Sequence, residues 1–505
     1  MKKAYINATI YQQDNTAFIL EDNYITKVSS REDVLNDVSD EDEVIDLKGM
    51  FVLPGFVDSH MHLLELGFYL SCVQLANCSS LEEMKEKLMH KVSSLKEGEW
   101  LIARGYNEEN FIDKKKPTKS FLDDISKDIP ICVTRSCGHS MSCNSKALEL
   151  AGITDSVDGI VEEEMINVVH DAWNVTDART IQEYIYKGIE CANQYGVTTV
   201  GSDDFVSLTH DYASVLDVFE KLSYQEKLNI RINEQCEFNS IEDFAKFLDE
   251  GYTFDVGNDY FRIGPLKLIT DGSLGARSAA LSRPYNDDPN NTGILNYASD
   301  ELKEWVQLAN KFNMPTIAHC IGDKAVDEVL DAFEDNVYEG NPLHHGLVHC
   351  QILRQDQINK IIDEKLSCYF QSLFIDSDAS ILEDRVGKEL AKTSYPFKTL
   401  YENTIASNGS DAPVEMPNAL YGIELAVTRS GMNQDECLSI EQAIDSYTEA
   451  GAKQLFMDDK IGKIQEGYYA DIVVLDTDIT KCEPTKIHET KVMMTIMNGN
   501  EVYTR

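Results

Sequence analysis

The chain has no run approaching 18 apolar residues, no Cys-x-x-Cys pair, no internal repeat and little positive charge, and each absence excludes something. Without a long apolar run, no segment is expected to span a bilayer. The first residues, MKKAYINATIYQQDNTAF, lack the apolar stretch of a secretory leader. Twelve cysteines scattered from Cys72 to Cys482 form no dense framework, which fits reduced thiols in the cytoplasm. Only 45 Lys and Arg stand against 87 Asp and Glu, for a net charge of −42. That field repels phosphate backbones and anionic lipids, so nucleic acid and membrane are not expected partners. A small molecule is the expected partner, with a homodimer as the candidate assembly. The acidity itself reads as a solvated, self-repelling surface; an acidic interaction module is the rival reading.

What is present is ordinary globular material, 43% apolar and 26% charged over 505 residues. Short alternating runs at the start (KAYINATIY, TAFILEDNYITKVSS, EVIDLKG) and at the end (GKIQEGYYADIVVLDTD, KVMMTIMNGNEVYTR) read as β-strands. Neither set is stable alone, so the two ends are expected to build one small β-sandwich from residues 1–54 and 456–505. Between them, strand-like segments alternate with amphipathic helical ones: LPGFVDSH (53–60), VTTVGS (197–202), LNIRINE (228–234), IGPLKLIT (263–270), PTIAHC (315–320), GLVHC (346–350), SCYFQS (367–372) and TIASNGSD (404–411). Eight such strands predict an α/β fold of the (β/α)8 TIM-barrel type over residues 55–455. Helices are expected in GDKAVDEVLDAFEDNV and SIEQAIDSYTEAGAKQLF. A large insertion after the first barrel strand, about residues 70–190, carries its own helices and a short strand in DIPICVTRS, and is expected to form a lid-like subdomain.

Histidines are scarce, 11 in all, yet two end the first strand in FVLPGFVDSHMHLLELG. Alternate residues of a strand share a face, so Asp58, His60 and His62 point the same way, toward the barrel interior near its C-terminal mouth. Imidazoles there suit Zn²⁺ or a related divalent ion. His319, His349 and Asp411 close the fifth, sixth and eighth strands, so candidate ligands from four strands converge on one rim. Lys267, on the inward face of the fourth strand, is costly to bury as an ammonium and needs a partner or a modification. Carboxylation by CO₂ would turn it into an anionic carbamate able to bridge two ions. Otherwise it points outward or pairs with a carboxylate such as Asp271.

The order HxH on strand one, Lys on four, His on five and six and Asp on eight resembles the amidohydrolase superfamily. The phrases LPGFVDSHMHL, GHSMSCNSKALELAGI, GVTTV, KLITDGSLGARSAALSRPY, IAHCIGDKAVDEVLDAF, SNGSDAPV and GKIQEGYYADIVVLD are similar, in order and over nearly the whole chain, to its amidohydrolase family 3 branch, which includes N-substituted formamide deformylases. The resemblance implies a metal-dependent hydrolase of carbon–nitrogen bonds other than peptide bonds, in which a metal-activated hydroxide attacks and Asp411 carries the proton as general base and acid. It implies His60, His62 and Asp411 on a first zinc ion, His319 and His349 on a second, and carboxylated Lys267 between them. His139, in the insertion, would bind substrate or an oxyanion, and Asp271 and Arg277 would bind substrate, unless they form a loop salt bridge. Three phrases depart from the family: GYNEENF lacks the usual tryptophans, HHGLVHCQ replaces a more polar pattern before His349, and CYFQSLFIDSD lacks a Pro-His pair. The alternatives are a mononuclear deaminase of the same superfamily and a non-catalytic barrel scaffold.

Overall fold

The computed structural model describes residues 2–96, 98–112, 114–136, 140–154, 156, 158–162, 164–173, 175, 177–209, 211–334 and 336–505. It divides into two compact units, one holding Leu66–Lys187 and the other most of the remaining chain.

The larger unit is built on eight parallel strands: Phe56–Met61, Val197–Ser202, Arg231–Cys236, Phe261–Ile269, Thr316–Cys320, Gly346–His349, Ser367–Phe370 and Ala406–Asn408. Each pairs with the next in sequence, as a (β/α)8 barrel requires. The circuit is drawn shut beyond the eighth strand, where Asp411 N donates to His60 O at 2.8 Å and Ser410 N to Asp58 Oδ1 at 2.9 Å. Gly409 makes this approach possible, because a β-carbon there would lie 2.5 Å from His60 N. All eight expected segments are strands, though the last ends at Asn408, short of Asp411, which takes a left-handed φ of 58°.

Helices cover the barrel because their apolar residues recur on one face. Ser240 caps Ile241–Asp249 by accepting from Asp243 N, and Phe244, Phe247 and Leu248 turn inward. Tyr212–Tyr224 buries Val215, Leu216, Val218, Phe219 and Leu222, with Phe219 stacked on Phe261 at 5.0 Å. Asp323–Phe333 is helical as its sequence predicts. The segment after strand eight is two short helices, Ile440–Ser446 and Glu449–Gln454, where the pattern predicts one. The break frees Tyr447 O to accept from Val57 N at 2.7 Å, tying the helices to the first strand.

Two small sheets pack beside the barrel. One, of Tyr24–Ser29, Ala17–Glu21, Lys2–Ile6 and Glu43–Asp46, is wholly N-terminal; the other joins the two ends, with Phe51–Pro54 antiparallel to Ile472–Leu475. Tyr5, Phe18, Leu20, Val52, Ile472, Val474 and Ile496 fill the space between them. A buried ion pair joins sandwich to barrel: Arg231, opening the third strand, grips Asp471 at 2.6 and 3.1 Å and reaches Asn498 at 3.0 Å.

The smaller unit has a five-stranded sheet in the order Ile160–Glu162, Ser140–Cys143, Ile131–Arg135, Leu101–Tyr106 and Val73–Gln74. It has more strand than the single one expected. Leu81–Val92 lays Met84 and Leu88 on a core of Leu75, Leu101, Ala103 and Tyr106. Among the described residues no helix is long and apolar enough to cross a membrane.

Candidate metal centre

Four histidines meet at the C-terminal ends of the barrel strands. The ring centroids of His60 and His62 are 5.3 Å apart, those of His60 and His349 5.6 Å, and those of His319 and His349 4.4 Å. Asp411 Oδ1 lies 3.2 Å from both His60 Nε2 and His62 Nε2. His60, His62 and Asp411 each offer a ligand atom, all within 4.8 Å of one another.

Each imidazole is fixed through its other nitrogen. His60 Nδ1 is 2.6 Å from Gln235 Oε1, and the Gln235 amide nitrogen donates to Ser59 O at 2.8 Å, so the oxygen faces the ring. His62 Nδ1 donates to the Asp203 carbonyl at 2.8 Å, and His319 Nδ1 to Asp271 Oδ1 at 3.0 Å. His349 Nδ1 is 2.7 Å from Gln371 Oε1. Acceptors at every Nδ1 hold the protons there and leave each Nε2 to the centre, the arrangement that orients metal-bound histidines.

Local backbone geometry turns two of these side chains. Paired residues of a sheet share a face, and Val348 pairs with His319 and Tyr369, so strict alternation would turn His349 away from the interior. His349 instead takes φ 81°, and Asp411 takes φ 58°. Such non-glycine left-handed residues cost about 1–3 kcal/mol each and persist where the surroundings hold them. Here they bring both side chains to the rim.

The electrostatics follow from burial. Burial pushes His60 down to about 4, with Lys267 adding to the effect, and pushes His349 well below the usual imidazole range. Burial would also lower His62, but the Asp411 carboxylate against it raises it to about 10. Asp411, which burial alone would raise, is held well below the usual carboxylate range by His60 and His62. Asp58 is pushed up to about 7 by burial, and its carboxylate closes the barrel at Ser410 rather than joining the ligand cluster.

The remaining expected site residues fall as follows. Lys267 points inward with Nζ 3.3 Å from His60 Nε2, and its carboxylate partner is Asp203 at 3.1 Å, not Asp271. Asp271 is not a free substrate contact: Oδ1 accepts from His319 and Ile321 N, and Oδ2 from Ala280 N and Gly322 N. It sits behind the ligand and aims it. The Arg277 guanidinium is held by Asp287 at 2.9 and 3.1 Å on a surface loop. His139 lies outside the described residues. Asn107 caps a short helix of the smaller unit and Glu108 pairs with Arg135 at 2.8 Å. Gln235, Gln371 and Asp203 escaped notice in the sequence. Their one trace is a polar residue at the end of a buried strand, as in RINEQC, whose six residues are all buried.

The donor set fits a divalent cation: two imidazole nitrogens and a carboxylate oxygen, buried and close. His319 and His349 stand beside this set with ring centroids 4.4 Å apart, and Lys267 Nζ lies 3.3 Å from His60 Nε2 and 3.1 Å from Asp203 Oδ2.

Comparison with known proteins gives the site its context. Residues 43–503 match the model of a family described as "Amidohydrolase family". The chain is 29% identical over 528 residues to YtcJ of Bacillus subtilis (strain 168), covering 99% of this chain and 98% of that one. It is 22% identical to the N-substituted formamide deformylase of Arthrobacter pascens, over 97% and 95% of the two chains. A crystal structure of an uncharacterized metal-dependent hydrolase from Pyrococcus furiosus superposes with a TM-score of 0.84 at 30% identity, covering 95% of this chain and all of that one.

Proposed function

The chain belongs to the amidohydrolase family, and from that premise we propose that this metal-dependent hydrolase cleaves an amide-type carbon–nitrogen bond, other than a peptide bond, in a small molecule. The observation that carries the proposal is the convergence of His60 and His62 Nε2 on Asp411 Oδ1, with both rings pinned through Nδ1. Zinc is the ion such a nitrogen and oxygen donor set favours.

His60, His62 and Asp411 would hold the ion. An ion bound there supplies Lewis acidity, drawing the pKa of water down from about 15.7 toward about 7 and polarising a carbonyl. Asp411 is the proton carrier. It is anionic at neutral pH and 8% exposed, so it can take a proton from water and return it to the leaving nitrogen. His349 stays uncharged through burial, and Phe374 stacks on it at 5.9 Å, an apolar wall beside the histidines. Gln235, Asp271 and Gln371 keep the rings aimed while protons move.

A second reading, deamination by a mononuclear relative, draws on the Lys267–Asp203 pair, in which the amine is engaged by a carboxylate at 3.1 Å. The test is a panel of N-acyl compounds, formamides, hydantoins, lactones and amino-heterocycles, assayed with zinc-loaded and chelator-treated protein. Hydrolysis of an amide or formamide that vanishes on chelation and returns with zinc is the expected result. Ammonia release from amino-heterocycles alone would favour the second reading, and the absence of any chelator-sensitive turnover would reject both.

A further inference from the structure

Two of the chain's three tryptophans, Trp100 and Trp173, stand together in the smaller unit, with ring centroids 5.9 Å apart and planes at 77°. Phe68 lies 6.2 Å from Trp173 and 5.6 Å from Tyr184, its plane turned 45° and 68° from theirs. Both tryptophans pack against an apolar core that includes Cys132, Met141 and Val169, yet each is only half-buried. With Phe68 and Tyr184 they line a cavity of about 630 Å³. Its lining residues all belong to the smaller unit and include none of the metal centre. That volume suits a small organic molecule, and rings set at such angles offer both faces and edges to a guest ring.

The charge around the cavity runs against that of the whole chain. Lys91, Lys96, Arg179 and Lys187 line it with Glu99, Asp177 and Glu183, one more cation than acids in a protein of net charge −42. Each acid already has a donor. Glu99 accepts from Lys96 N at 2.9 Å, Asp177 from Thr180 N and Oγ1 at 3.0 Å, and Glu183 from Arg179 Nε at 3.0 Å. Among the described residues, the ammonium groups of Lys91 and Lys96 have no hydrogen-bond or ion-pair partner. Aromatic walls with free carboxylates would favour a cation over the ring faces. Here the acids are engaged and the uncompensated groups are ammonium, which favours an anionic guest held by charge-assisted hydrogen bonds.

We propose that this cavity is a second ligand site, separate in its residues from the metal centre, that binds a small aromatic carboxylate. The ring lies among Trp100, Trp173, Phe68 and Tyr184, and the carboxylate meets Lys91 and Lys96. The site stands whether or not the hydrolase reading does, because no residue is shared between them.

The full zinc-loaded chain is titrated with phenylacetate, phenethylamine and acetate while tryptophan fluorescence is followed, excited at the long-wavelength edge where the phenyl compounds do not absorb. Trp100 and Trp173 report the cavity, whereas Trp305 is buried in the larger unit beside Phe244 at 5.8 Å. Phenylacetate is expected to give a saturable change in the millimolar range or below, with phenethylamine and acetate weaker by about tenfold or more. Lys91→Met together with Lys96→Met should weaken phenylacetate by about tenfold or more, with an unchanged circular dichroism spectrum. Chelator-treated protein should bind it as the zinc-loaded protein does. No saturable change with phenylacetate, phenethylamine binding as tightly or more tightly, or full affinity in the folded lysine variant overturns the inference. A response that disappears on chelation also overturns it, by placing the carboxylate on the metal ion instead. If the lysine variant does not fold, the comparison of phenylacetate with phenethylamine in the unaltered chain decides.

Discussion

Asp271 accepts the Nδ1 proton of His319 at 3.0 Å while its two carboxylate oxygens also take the backbone N–H groups of Ile321, Gly322 and Ala280. One buried acid thus shapes the loop after the fifth strand and aims the histidine within that strand. Replacing it by asparagine keeps one acceptor and sets an NH₂ against N–H donors. Asp271→Asn is expected to lose about 1–3 kcal/mol of stability and to lower kcat/KM by on the order of 10–100-fold. Thermal unfolding and steady-state kinetics check the two effects. Full activity with lowered stability would reduce Asp271 to a loop anchor.

Alanine at both His60 and His62 removes two of the three clustered ligand atoms. Bound zinc should fall to about a tenth or less of the unaltered protein's, and chelator-sensitive hydrolysis should disappear, the remaining carboxylate being too weak a site alone. Elemental analysis and circular dichroism together check this. Retained metal in a folded double variant would place the ion elsewhere.

Metal uptake should depend on pH through His62. With its pKa raised to about 10 by Asp411, His62 carries an extra proton across the neutral range, and a ligating nitrogen must lose it. His60, pushed down to about 4, is already free to bind. Zinc affinity should therefore climb about tenfold per pH unit between roughly 7 and 10, then level off, with about one proton released per ion. Chelator competition across pH, or calorimetry in buffers of different ionisation enthalpy, reads this directly. An affinity flat over that range would refute it.

Gln235 touches the ligand His60 only on the ring nitrogen away from the centre, and through that contact it sets the tautomer. Gln235→Leu removes the acceptor and frees the ring to place its proton on Nε2. Zinc affinity should weaken on the order of 10–100-fold, and Gln235→Glu, which keeps an acceptor oxygen, should lose less. Equal losses in both variants would point to packing rather than tautomer control.

Far from the rim, Arg231→Met strands Asp471 without its cation, both groups being 2% exposed. Breaking such a pair costs about 3–5 kcal/mol, so the unfolding midpoint should drop sharply. The native protein should still take up zinc with unchanged affinity. A change in zinc binding equal to the change in stability would mean that the sandwich contact reaches the site.

The barrel was legible because strand and helix periods are local properties. Eight apolar segments separated by amphipathic ones can be counted without knowing what touches what, and each is a strand in the structure. Departures arose where a distant partner intervened: the helix expected over the SIEQAIDSYTEAGAKQLF stretch is broken at Tyr447, whose carbonyl accepts from Val57, nearly 400 positions earlier.

At the centre the same division holds. The sequence by itself determined which residue types stand at the strand ends: His60 and His62 one residue apart, His319, His349, Asp411 and an inward Lys267. It could not say that Gln235, Asp271 and Gln371 would face three of those rings, because such partners are chosen by the register of neighbouring strands. Nor could it turn His349 inward, which takes a left-handed residue that alternation does not foresee. That Lys267 would meet Asp203, 64 positions away, was decided only by the fold. Electrostatic pairing inside a barrel depends on which side chains are brought within about 3 Å where water cannot screen them, and that distance is a property of the tertiary structure alone.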